Sequence, residues 1–213
     1  MRTDRDLRPR FHRDLAAIDH KVCQMFDLLR ASLVDATQVL TTADREAALV
    51  VVERDAAIDA IDDELEASIT RILHLQSPVA SDLRYLVTVL RVAPELERSA
   101  DLVEHIAARV AYDLVTSLPP SLVGTVRQMG DVAERMWAIA SEAWGDRMPE
   151  AVADLEALDD EMDDLHDVLR QQLQGGALPL GPAVEMALVG RFYERLGDHA
   201  LHVTERLGYA AGT

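Results

Sequence analysis

Cysteine is almost missing from this chain: Cys23 stands alone, so no internal disulfide can form. Its place among apolar helix positions makes it a core side chain rather than a nucleophile, and a reducing cytoplasm suits it. Aromatic residues are only 4% of the chain, and glycine and proline are sparse, at 10 and 8 of 213 residues. Ala, Leu, Val, Asp, Glu and Arg dominate instead, the balance of long packed helices, and the chain reads as all-α. Positive charge is also scarce. With 21 Lys and Arg against 38 Asp and Glu, the net charge is −17, which argues against a nucleic-acid partner, since phosphate backbones are held by clustered cations. No run of 18 apolar residues occurs, so no transmembrane segment is expected. The arginines that exist gather at the N-terminus as Arg2, Arg5, Arg8, Arg10 and Arg13, with no apolar signal core behind them. They read as a solvated arm before the first helix, the alternative being a contact for a membrane or an acidic partner.

Six amphipathic stretches are present. Phe11, Leu15, Ile18, Val22, Met25, Leu29, Leu33, Ala36 and Leu40 recur at steps of three and four, the seam of a first long helix. Thr41, Thr42 and Asp44 offer capping chemistry for a second, striped by Val51, Ile58, Ile61, Leu65, Ile72 and Leu75. After the turn Gln76–Asp82 a third runs from Leu83 to about Val115, with Pro94 inside it. Leu118-Pro119-Pro120-Ser121 is the strongest breaker, and the pattern then restarts. Leu122 to Ile139 marks a fourth helix ending near Trp144-Gly145; Pro149 opens a fifth that stops at Gly175-Gly176; a sixth follows Pro182. The expected architecture is two tandem three-helix bundles, residues 1–118 and 119–213, related by an internal repeat.

The repeat also carries chemistry. Glu194-Arg195-Leu196-Gly197-Asp198 stands 97 residues after Glu97-Arg98-Ser99-Ala100-Asp101, and His202 and His105 follow each Asp at four residues. On a helix such residues stack along one face. Sliding the second helix by 104 residues brings Asp55 and Asp59 onto Asp159 and Asp163, while Asp62 falls on His166. Each half therefore offers two acidic rows bordering its core. A chain this acidic holds roughly seven acid pairs at spacing four by chance, so one pair carries nothing and the repetition carries the case. Like charges so spaced destabilise a helix by about 0.2–0.5 kcal/mol per pair, so a cation is expected to compensate. Arg98, Arg195, Arg109 and Arg206, which recur in register, offer the plain alternative of ordinary ion pairs. Carboxylate rows suit Mg, Mn, Ca or iron, and imidazole from His105, His202 or His166 shifts the choice toward iron, zinc or manganese. His12, His20, His74 and His199 lack repeat partners and read as surface or ion-pair groups.

These segments, with Gln76-Ser77-Pro78-Val79-Ala80-Ser81-Asp82-Leu83-Arg84, resemble the PhoU family of phosphate-uptake regulators over essentially the whole chain. The resemblance implies two three-helix repeats and multinuclear metal clusters, most often iron or zinc. Its ligands would be Asp55, Asp59, Glu97 and Asp101 in one half and Asp159, Asp163, Glu194 and Asp198 in the other, with His105 and His202 as added imidazoles. It implies a cytoplasmic regulator rather than an enzyme. Such a regulator links the ATPase subunit of a phosphate ABC transporter to a sensor histidine kinase, holds the starvation response off, and is allowed to form a homodimer. Two departures stand out: Ser99-Ala100 where the family has an aliphatic residue and Gly, and His105 and His202 where many relatives have Asn. The Glu194–Asp198 pair is therefore the better-defined site. A ferritin-like di-metal carboxylate enzyme is the main competitor, but no Glu here is followed by His at the third position, as that class requires. A metal-free helical scaffold is the other. No nucleophile triad, P-loop or dinucleotide fingerprint occurs.

Overall fold

The apolar stripes become six helices: α1 Pro9–Thr42, α2 Arg45–Gln76, α3 Ala80–Ala108, α4 Pro120–Asp146, α5 Val152–Gln174 and α6 Leu180–Ala211. The computed structural model describes residues 9–78, 80–112, 118–146, 148, 151–176 and 178–211, among which there is no strand. Local chemistry sets the ends. Asp44 caps α2, its side chain accepting from the Ala47 amide at 3.0 Å. Thr41 and Thr42 instead donate back to carbonyls of Gln38 and Thr37, so they close α1 rather than open α2. The chain leaves α2 through Ser77 in the left-handed region, φ 44°. α3 begins at Ala80, earlier than Leu83, runs through Pro94, and tightens into a 3-10 turn over Arg109–Tyr112. The remainder of its expected reach falls partly on residues 113–117, outside the described residues, as does Pro149. Pro120 and Pro182 both fit inside first turns, where an amide donor is not needed.

α1, α3, α6 and α4 form a central ring in which each packs on its neighbours; α2 lies against α1 and α3, and α5 against α4 and α6. One hydrophobic cluster draws side chains from all six helices. The halves 1–118 and 119–213 thus share a core, because α1 and α4, like α3 and α6, bury apolar faces against each other. Phe26, Tyr85, Trp137 and Trp144 fill one part of it, with ring centroids 6.1–6.3 Å apart. Tyr193, fully buried on α6, reaches α1 by a 2.8 Å hydroxyl contact with Thr37. Leu75 departs from its expected place on the α2 stripe: it is 68% exposed, past the end of the core. Cys23 is half-buried against the core, as a packing residue.

The α3–α6 seam shows the internal symmetry at atomic scale. Arg206 donates to Glu95 at 3.0 Å, while Arg109, 97 residues earlier, lies 4.9 Å over Phe192, which is 97 residues after Glu95. Each arginine reaches the same position of the opposite helix. Between them, His199 Nδ1 meets Ser99 Oγ at 3.0 Å, and Ser99 donates to the Glu95 carbonyl at 2.6 Å. His199 is buried, 8% exposed, so of the surface and ion-pair roles expected the second fits: its Nδ1 stands 3.9 Å from Glu95 Oε2. Burial lowers its pKa. Ser99, one of the departures from the family pattern, is explained by this partner.

Candidate metal centre

The acidic rows form because their residues sit one position off each core stripe. On α2, Ile58, Ile61 and Leu65 are buried while Asp55 is half-buried and Asp59 exposed. On α3, Leu96, Ala100 and Val103 are buried, leaving Glu97 half-buried and Asp101 exposed at the border. Packing α2 on α3 then joins the two rows. Burial pushes the Asp55 carboxyl up to about 6, reinforced by Asp59, Asp101 and Glu104 and opposed by His105. Glu97 is raised by burial and then by Asp101, Asp59 and Asp62. Asp62 is raised in the same way, first by burial and then by Asp63, Glu66 and Asp59. The fold thus brings Asp55, Asp59, Glu97, Asp101 and His105 into one field, and adds Asp62 and Glu104. His105 is tied to Glu104 at 2.6 Å and stacks near Phe192.

The second half repeats the arrangement on α5 and α6. Asp159 is raised by burial and then by Asp163, Asp198, Asp160 and Glu194. Glu194 is raised by burial and Asp198, with Arg191, its ion-pair partner, and His166 acting against the shift. Gly197 lies where this row meets α4: a Cβ there would stand a tight 3.2 Å from Met136 Sδ and an ordinary 3.4 Å from Asp159 Oδ1. The equivalent residue of the first half is Ala100. The imidazole acting on Glu194 is His166 of α5, whereas His202 is exposed and acts on His199. His166 was legible as the residue 104 after Asp62. His202, which follows Asp198 by one turn, is not among the groups that act on Asp159 or Glu194.

The donor set fits a hard or borderline cation in charge and chemistry. Asp55 Oδ1 is buried without a hydrogen-bond partner, an uncompensated acceptor that a cation would satisfy. Among the described residues no three such side chains already converge on one point. In each half the rows run as strips of carboxylate along two packed helices.

Residues 22–110 and 126–207 each match the PhoU domain, one copy in each half. The chain belongs to the PhoU domain family. It is similar to the phosphate-specific transport system accessory protein PhoU homolog 2 of Mycobacterium tuberculosis, 32% identical over 209 residues, covering 96% of this chain and 98% of that protein. In fold it is similar to PhoU from Pseudomonas aeruginosa, TM-score 0.88 at 24% identity over 96% of this chain and all of that one. PhoU from Streptococcus pneumoniae superposes with TM-score 0.82 at 22% identity, covering 95% and 97%.

Proposed function

We propose that this PhoU-family chain is a metal-binding regulator of phosphate uptake and of phosphate-starvation signalling. It acts as a cytoplasmic adaptor between the ATPase subunit of a phosphate ABC transporter and a sensor histidine kinase, keeping the starvation response off when phosphate is plentiful. The observation that carries this reading is the recurrence of acidic rows at equivalent places in both halves of a chain that aligns nearly end to end with a phosphate transport accessory protein. No helix among the described residues is long and apolar enough to cross a membrane, in keeping with docking on membrane-borne partners. Asp55, Asp59, Glu97 and Asp101 hold one metal cluster and Asp159, Asp163, Glu194 and Asp198 the other, with His105 and His166 beside them. Bound iron or zinc would supply charge neutralisation and open coordination positions; the helices supply the carboxylates and fix their spacing. A homodimer would double the docking faces. Two experiments test the reading. In a deletion strain a phosphate-starvation reporter is expected to switch on in high phosphate and to be silenced by the wild-type copy; a reporter unaffected by deletion removes the regulatory role. Co-purification from native cells is expected to retain the transporter ATPase and the kinase, and loss of both counts against the adaptor.

A further inference from the structure

A groove of about 460 Å³ lies at the end of the bundle where α1 begins and α2 ends, lined by Arg10, Asp14, Arg71, Ile72, Leu75 and Gln76. Three observations set it apart from the rest of the surface. The α2 stripe continues past the core: Ile72 is buried in the groove, and Leu75, one step on, is 68% exposed among the described residues. Arg10 and Arg71 flank it, both exposed and neither in an ion pair among the described residues, while Arg13 follows one turn after Arg10. Among the described residues its carboxylate is Asp14, which accepts from the Gln76 amide at 3.2 Å and leaves the lining with one positive charge in excess. A single exposed leucine needs no explanation. An exposed leucine in a concavity where two guanidiniums outnumber one carboxylate, on a chain of net charge −17, does.

We infer that this groove docks an acidic amphipathic segment of a partner protein. An apolar side chain of the segment packs on Ile72 and Leu75, and flanking carboxylates pair with Arg10 and Arg71, whose planar forks suit them. The shape favours a peptide, since a lipid surface has no ridge to enter a concavity. The site lies about 15 Å along α2 from Asp62, by the helical rise over ten residues, and stands whether or not the acidic rows carry metal. The N-terminal arginines, read from sequence as a solvated arm, thereby gain a binding role through Arg10.

The test is display of 15-residue segments drawn from the host's own proteome, panned on wild-type protein and on the R10E/R71E double variant. Enriched segments are expected to carry Glu or Asp around Leu, Ile or Phe. Their affinity, read by fluorescence anisotropy, should fall at least tenfold on R10E/R71E and on Leu75→Ser, and further with added salt. Lys-for-Glu versions of the same peptides should bind R10E/R71E and not the wild type, a rescue that a misfolded variant cannot show. Overturning results are an absence of enriched peptides, basic ones, or affinities unchanged by the variants. Binding to phosphatidylglycerol vesicles without peptide enrichment would replace the inference with a lipid surface. Loss of a dimer in R10E/R71E without peptide enrichment would replace it with a self-interface.

Discussion

Asp55 concentrates the energetics of the first row. Its folded pKa of about 6 lies above the 3.8 of an ordinary aspartate, so between those pH values the unfolded chain releases its proton first. Stability of the metal-free protein therefore falls as pH rises through this window, and the penalty is complete above pH 6. Asp55→Asn removes it: the variant is expected to be more stable than the parent at pH 7 and equal to it near pH 4. Discounted for partial solvent screening, the gain is about 1 kcal/mol, or about 2–4 °C in melting temperature. Thermal melts with chelator at both pH values check this, and a gain of equal size at pH 4 would refute the electrostatic cause. Asp55 was legible in sequence by its repeat partner Asp159; its unpartnered oxygen was not, because that depends on how closely α3 approaches.

Helix packing is decided at a few glycines, and α4 supplies both outcomes. A Cβ on Gly130 would stand 2.4 Å from Thr37 Cγ2, and Thr37 cannot turn away because its hydroxyl is held by the Leu33 carbonyl and Tyr193. Gly130→Ala is expected to lose about 1–3 kcal/mol despite its better helix propensity. Gly124 has nothing within 4 Å, so Gly124→Ala should gain up to about 1 kcal/mol. Urea unfolding of both variants measures the pair, and equal signs would show that the α1–α4 contact yields. In the α3–α6 seam, Glu95→Ala takes from the part-exposed Arg206 its charged hydrogen bond and is expected to cost about 1.5 kcal/mol, the low end for such a bond. The helices themselves were readable from the stripes, which named the central line of each buried face but not its flanks, among them Phe26, Tyr85, Trp137 and Trp144. Their ends were less so: Thr41 and Thr42 look like N-caps in sequence, and only the backbone shows them bonded backward. The burial of His199 was not readable, because its partner Ser99 lies 100 residues away in sequence.

On the scale of the whole molecule, the tandem repeat was written in the sequence, but the sharing of one core by six helices was not, since an apolar stripe does not name the helix it meets. That shared core places the α2–α3 row and the α5–α6 row on one rigid frame, each a strip of negative charge in a chain of −17. Cations that bind only the folded state must then stabilise it by mass action, about 2.7 kcal/mol per site at a hundredfold excess over the dissociation constant. For a chain of this size that amounts to a rise of about 5–10 °C per site. Monovalent salt at equal ionic strength gives only the smaller gain expected from screening. Protein purified without chelator is therefore expected to carry iron or zinc by elemental analysis, and to lose the extra stability on chelation. Asp101→Ala and Asp198→Ala should each lose part of the metal and part of the shift, and the double variant nearly all of both. Near-zero metal in the parent, or equal metal in all three variants, would leave the rows as solvated helix faces balanced by arginines such as Arg98 and Arg191.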